Sequence, residues 1–413
     1  AYEKRWMYPG LRLEALVEES VRLRLMSEVP LGSMLSGGLD SSIVSFFAQK
    51  HSSKRLQTFG AFHKDEQARD VDWRYVNRAA EAIGSDHHHI FYDESGLLDM
   101  VPRMVAAFGE PYASINGPVS LTLAERIRRH VTVALSGNGG DEVFAGYDTY
   151  RKTKLLNAAP VQALLNIPSE RLMAIYADRW RHEDLERSFK KWFWLYPLTL
   201  PADQRSGYVT APLSYWIAEN LVKDEIIKNA RHPEVPFRKL FNNAPAGNTF
   251  DAWTYTDLMG RMQENMVCRS DATGMAASLE IRAPLLDHKL VEFAARLPVN
   301  LKLKGWKRTK YLLAKVAMRH LPESLVRRKK QGFSGVTYPK LIRNAQGPWK
   351  NRLEDHLFGS GTLARSNLFK TGGIEKIWAG LCRSDPNAQY AVRYFLLVWA
   401  LVVFEVWYRT VVE

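Results

Sequence analysis

Cysteine is nearly absent: Cys268 and Cys382 stand alone among 413 residues, far apart and in no CxxC or Cys/His spacing. That excludes a disulfide framework, argues against a structural zinc site and fits a reducing, cytoplasmic setting. The N-terminus, Ala1-Tyr2-Glu3-Lys4-Arg5-Trp6, lacks an apolar h-region, so nothing there reads as a secretory signal. The first residue is not Met, which reads as a processed, trimmed or excerpted chain. Long hydrophobic runs are missing too. The most apolar stretch, Tyr394 to Tyr408, carries Glu405 and falls short of the roughly 20 residues a bilayer helix needs. A buried C-terminal helix, with no membrane span, is therefore expected. Internal repeats, low-complexity linkers and charge tracts are also lacking. The excess charge, +13 with histidine neutral, admits a polyanionic partner. Its Lys and Arg are scattered through the C-terminal half, which favours a basic surface with a phosphate site over nucleic-acid binding.

What is present is an alternation of strand and helix over the first 150 residues. Leu13, Leu16, Val17 and Val21 recur at helical spacing and predict a helix from about Leu11 to Met26. Short apolar runs predict strands at Val29 to Leu35, Leu56 to Phe62, Asp86 to Tyr92 and Val131 to Leu135. Helices are expected between them, over Asp40 to Gln49, Asp72 to Ile83, Gly96 to Phe108 and Pro118 to His130. Such alternation predicts an α/β fold with a doubly wound parallel sheet, whose ligands sit beyond the C-terminal strand ends. From about Tyr150 the strand pattern fades, and Leu/Ala/Arg/Trp-rich stretches predict a mostly helical remainder. The expected organisation is one domain over 1–413, an α/β core at 11–150 and a mainly helical part at 151–413 within one compact unit.

Two glycine-rich turns close predicted strands. The first is Ser36-Gly37-Gly38-Leu39-Asp40-Ser41-Ser42. Glycines let the backbone approach an anion, and successive N–H groups running into a helix N-terminus bind phosphate oxygens. Ser36, Ser41 and Ser42 add hydroxyls, and Asp40 is a hard oxygen ligand for Mg²⁺. The Gly-Lys-Ser/Thr ending of a Walker loop is lacking. The second turn, Ser136-Gly137-Asn138-Gly139-Gly140-Asp141-Glu142, offers another carboxylate. Two carboxylates on one Mg²⁺ would neutralise a leaving pyrophosphate.

At these turns the chain resembles the asparagine synthetase family, specifically its synthetase domain of the N-type ATP pyrophosphatase fold. The resemblance extends over Glu28-Val29-Pro30-Leu31-Gly32 and the first turn, the run ending Phe144-Ala145-Gly146-Tyr147, Ser278 to Pro298, and Lys329-Lys330-Gln331-Gly332-Phe333. It implies an ATP-dependent, AMP-forming ligase: a carboxylate attacks the α-phosphorus, pyrophosphate leaves, and an amine displaces AMP. Leu35, Ser36, Gly37, Gly38, Asp40, Ser41, Ser42, Ser136, Gly137 and Lys310 would then bind ATP. Asp40 and Asp141 would hold Mg²⁺, and Lys330 would stabilise charge on the α-phosphoryl group. Glu280, Arg282 and Asp287 match as well, and are expected as buried polar scaffold, with direct substrate contact as the alternative.

The departures concern the acceptor. Where asparagine synthetases proper carry Glu after Ser-Gly, this chain has Asn138, which accepts no proton at neutral pH. The family's Asp-Glu-Pro reads Gly109-Glu110-Pro111, and its Asp-Arg-x-Ser-Met reads Asp271-Ala272-Thr273-Gly274-Met275. With Lys330, the catalytic candidates are therefore Asp271 and Asn138. The acceptor stays open between aspartate and another small-molecule or peptide carboxylate. An intramolecular cyclase closing a β-lactam or lasso-peptide ring, a tRNA-modifying pyrophosphatase and a non-catalytic ATP-binding protein are the alternatives. The usual N-terminal glutaminase cysteine has no counterpart, so nitrogen would come from a separate glutaminase domain or subunit, free ammonia or a substrate amine.

Overall fold

Leu13, Val17 and Val21, the apolar stripe of the first helix, have no solvent exposure. The helix they anchor, α1, runs Tyr2–Arg24, earlier at both ends than the spacing predicted. The structure, a computed structural model, describes residues 2–64, 71–156, 203, 220–230, 235–306, 308–328 and 337–413. The alternation that follows is β1 (Leu31–Met34), α2 (Leu39–Lys50), β2 (Gln57–His63), α3 (Val71–Ile83), β3 (Asp86–Tyr92), α4 (Val101–Phe108), α5 (Asn116–Arg128), β4 (Val133–Leu135), α6 (Gly140–Phe144) and α7 (Asp148–Leu156). Helix α4 begins later than expected. Pro102 suits the first turn of a helix, and the residues before Val101 form turns.

All strand pairs are parallel, and the sheet has five strands in the order β3-β2-β1-β4-β5. The fifth, β5, is Glu280–Arg282, inside the part expected to be helical. Three residues with two charges carry no readable period; their strand conformation comes from pairing with β4, Val133 opposite Glu280 and Leu135 opposite Arg282. The expected α/β fold with a helical C-terminal half stands, with this strand added. β1 sits at the point where the strand order reverses, with β2 on one side and β4 on the other. The crevice beyond the C-terminal ends of β1 and β4 is where such sheets bind ligands.

The chain divides into two compact units. The first comprises Ala1–Asp93, Val119–Leu155 and Ala246–Phe333 and contains the whole sheet. Its core joins α1 to Ile43, Val44 and Phe47 of α2, Leu135 of β4, and Leu285, Leu312 and Val316. The second unit comprises Glu94–Pro118, Leu156–Pro245 and Ser334–Glu413. Among its described residues the longest element is the helix Gln389–Trp407, which buries Phe395, Trp399 and Val402. That helical stretch continues to Val412 as 24 residues, more than the apolar run marked in the sequence and, by length and composition only, enough to cross a membrane. Half of its most apolar window is buried. Glu405 within it has no exposure and meets His356 Nδ1 at 2.8 Å.

Candidate functional site

The first turn leaves β1 through Leu35, whose amide donates to the Phe59 carbonyl at 2.8 Å. Gly37 then takes φ +66°, and a Cβ there would lie 2.7 Å from the Val76 amide nitrogen of α3. Only glycine meets both demands. The loop is braced from within. Ser36 and Ser41 hydroxyls are 2.9 Å apart, the Ser36 amide donates to Ser41 Oγ at 3.1 Å, and Ser41 Oγ donates to the Gly38 carbonyl at 3.2 Å. The first intrahelical bond of α2 runs from the Ser42 amide to the Gly38 carbonyl at 3.0 Å. The amides of Leu39, Asp40 and Ser41 precede that bond and form the donor end of the helix. Ser42 Oγ is buried without a hydrogen-bond partner among the described residues. Arg328 approaches the loop from the far end of the chain, donating to the Ser36 carbonyl at 3.4 Å and lying 4.5 Å over the Tyr75 ring.

The second turn leaves β4 through Ser136, whose amide donates to the Arg282 carbonyl of β5 at 2.8 Å. Gly137 packs on the start of α2, where a Cβ would stand 2.7 Å from the Ser41 amide nitrogen. The two turns are thus in backbone contact. Asn138 Nδ2 donates to Ser270 Oγ at 2.9 Å, on the helix Cys268–Ala276. Asp141 and Glu142 occupy the first turn of α6, and the Gly146 amide closes the segment onto the Asp141 carbonyl at 2.7 Å.

Lys310 joins the two turns. Its ammonium bonds Asp40 Oδ2 and lies 2.7 Å from Asp141 Oδ1. The residue is buried, and its backbone is left-handed at φ 49°. A side chain at Gly146 would collide with the Asp141 carboxylate and Lys310 Cε, so glycine there gives the trio its space. Burial works to lower the Lys310 pKa, but the Asp40 and Asp141 carboxylates outweigh it and hold the pKa above the ordinary lysine value.

Four residues that motif reading left without a role extend this cluster. Tyr147 donates its hydroxyl to Glu142 Oε1 at 2.6 Å, and the Arg261 guanidinium lies 4.6 Å over the Tyr147 ring. Arg261 Nη2 bonds Asp257 Oδ2 at 3.0 Å. Burial raises the pKa of both Glu142 and Asp257. Tyr147 and Glu142 were visible inside the quoted run. Arg261 and Asp257 had no sequence signal, because they lie on a π-helical segment, Asp257–Val267, more than a hundred residues away.

The remaining candidates divide. Lys330 lies outside the described residues. Asp271 is exposed, one position beyond Ser270. Asp287 is buried scaffold as expected, accepting from the Lys289 amide at 2.9 Å and from Arg24 at 3.0 Å. Glu280 is exposed instead, bonded to Arg282, whose guanidinium also reaches the carbonyls of Arg24 and Met26. β5 is an edge strand, which leaves its first side chain in solvent.

Asp40 and Asp141 converge on a single cationic atom, the Lys310 nitrogen, and carboxylate oxygens are the hard donors Mg²⁺ takes. Among the described residues no cluster of three His, Cys, Asp or Glu forms a metal cage. That suits Mg²⁺, which usually keeps one or two protein carboxylates and completes its shell with water and substrate phosphates. The residues fit the ion.

The asparagine synthase family profile matches residues 12–409. Glutamine-hydrolyzing asparagine synthetase 1 of Bacillus subtilis (strain 168) is 30% identical over 81% of this chain and 50% of its own length. Glutamine-hydrolyzing asparagine synthetase 3 of the same organism is 25% identical over 80% of this chain and 49% of its own. Amidase chyE of Penicillium rubens is 25% identical over 79% and 52%. The chain spans about half the length of these relatives. It belongs to the asparagine synthase family of carbon–nitrogen ligases.

Proposed function

We propose that this chain uses ATP to adenylate a substrate carboxylate and passes the acyl group to ammonia or an amine. The observation that carries the reading is the meeting of Asp40, Asp141 and Lys310 at the β1/β4 crevice, beside the donor end of α2. The α2 amides and the hydroxyls of Ser36 and Ser42 bind the pyrophosphate end of ATP, and Lys310 turns to its phosphate oxygens. Leu35, Gly37, Gly38, Ser41, Ser136 and Gly137 shape the two turns that line the nucleotide. Asp40 and Asp141 would hold Mg²⁺, which would supply positive charge against the leaving pyrophosphate. The substrate carboxylate oxygen bonds to the α-phosphorus as the bond to the bridging oxygen breaks. The amine nitrogen then bonds to the acyl carbon, loses a proton and expels AMP. In the same proposal Lys330 stabilises the charge that develops in both steps.

The two Bacillus subtilis relatives named above are asparagine synthetases, and aspartate is the first acceptor to test. Asn138 favours a wider search. Its amide is tied to Ser270 and supplies no proton acceptor, which leaves Asp271 as the acidic candidate on the amine side. Other small-molecule or peptide carboxylates, including one whose own amine closes a ring, therefore belong in the panel. A separate glutaminase or free ammonia is the nitrogen source in the intermolecular case. A chain with only two cysteines, Cys268 and Cys382, suits a cytoplasmic setting.

ATP–pyrophosphate exchange with a panel of carboxylates tests the reading directly. Exchange is expected with at least one acid, accompanied by AMP formation. Asp40→Asn should abolish both; exchange at the normal rate in that variant would sink the site assignment.

A further inference from the structure

We infer that Tyr147 and Arg261 are positioning residues that hold the Asp141 carboxylate in place for the divalent cation. The inference rests on the metal site proposed above and adds residues to which no role attaches. Asp141 and Tyr147 are the two ends of one short closed segment. The Gly146 amide bonds the Asp141 carbonyl at 2.7 Å, and the Tyr147 hydroxyl returns to Glu142, the residue after Asp141, at 2.6 Å. An O–H donor at that distance from a carboxylate is a short, charge-assisted bond. Glu142 is 3% exposed, so little solvent is at hand to replace the donor if it is lost.

The segment is clamped from outside by Arg261. Its guanidinium stacks 4.6 Å over the Tyr147 ring and is itself fixed by Asp257 at 3.0 Å. Tyr150, fully buried, packs its ring 5.7 Å from that of Tyr147. Tyr147 is therefore held at its ring and at its hydroxyl. The segment it ends carries one of the two carboxylates that meet at Lys310. Gly146 lies against both the Asp141 carboxylate and Lys310, so a shift of the Tyr147 backbone moves the floor under Asp141. Asp257 and Arg261 come from a π-helical segment, a conformation that recurs at functional sites. Groups that orient metal-binding side chains typically change metal affinity by about 10–100-fold when removed.

Mn²⁺ binding to the full chain with a non-hydrolysable ATP analogue, read by electron paramagnetic resonance, tests this without turnover. Tyr147→Phe removes one hydroxyl and should weaken Mn²⁺ by about 10–100-fold in protein that is still folded at the titration temperature. Wild-type Mn²⁺ affinity in Tyr147→Phe would overturn the inference. Should that variant fail to fold, Arg261→Lys decides, because it keeps the charge but loses the planar stack. Weakened Mn²⁺ then supports positioning and unchanged Mn²⁺ overturns it. Asp141→Asn is the control. If it binds Mn²⁺ as the parent does, the proposed metal site itself is wrong and the inference falls with it. If it loses Mn²⁺ while Tyr147→Phe and Arg261→Lys keep it, only the positioning role is refuted.

Discussion

Lys310 combines three costs at one position: burial of an ammonium, a left-handed backbone on a residue with a side chain, and two carboxylates drawn close together. Each is tolerated because the others answer it, the lysine neutralising the acids and the acids holding its proton. Removing one member leaves the rest uncompensated, which for buried ion pairs costs about 3–5 kcal/mol. Lys310→Met should therefore lower the unfolding free energy by about that amount in a metal-free urea titration. Added Mg²⁺ should recover part of the loss in the variant, because a ligand that binds only the native state stabilises it by mass action. A variant as stable as the parent, with or without Mg²⁺, would show that the carboxylates are not held under strain. The sequence offered Asp40, Asp141 and Lys310 as separate candidates. Their meeting could not be read from it, since Lys310 is 270 residues from Asp40.

At the scale of elements, α2 and its loop were legible because their constraints are local. Gly37→Ala places a Cβ against the Val76 amide at a positive φ, and a loss of ATP affinity is expected, measurable by titration with a fluorescent analogue. The edge strand β3 makes a different demand. Burial first, then the neighbouring charges of His89 and His88, lower the His87 pKa from 6.5 to about 4, against an opposing pull from Asp86. Its Nδ1 shares a 2.9 Å hydrogen bond with Thr58 on β2. A histidine kept neutral in the folded state contributes stability that is present above pH 6.5. That contribution fades as the pH falls from 6.5 towards 4, because the unfolded chain takes up the proton first. Urea midpoints should decline over that window, and His87→Asn should flatten the decline. β5, by contrast, was illegible. Glu280-Ile281-Arg282 has neither length nor period, and only the exposed edge of β4 makes it a strand.

For the whole molecule, the family match occupies residues 12–409, so the chemistry to test in this chain is that of the synthetase part. Ammonium salts, or an amine on the acceptor itself, should support amide formation by the isolated chain. Glutamine should do so only when a glutaminase is supplied. Amide formation from glutamine by the purified chain would refute that division of labour, and mass spectrometry of the products reads it. The helix Gln389–Trp407 teaches a second lesson at this scale. Its apolar residues were plain in the sequence, but its burial depends on neighbours such as His356, which answers the buried Glu405 inside it.

The sequence by itself determined the alternating α/β order, the two glycine-rich turns and the identity of both candidate metal carboxylates. These follow from short-range rules: side-chain period, the conformational freedom of glycine and the donor end of a helix. The tertiary structure alone decided that the turns touch, that Lys310 lies between their carboxylates, and that Arg261 packs over Tyr147 beside the second turn. Those relations join residues from distant parts of the chain. They arise from the parallel strand order, which brings the ends of β1 and β4 side by side, and no local pattern encodes it.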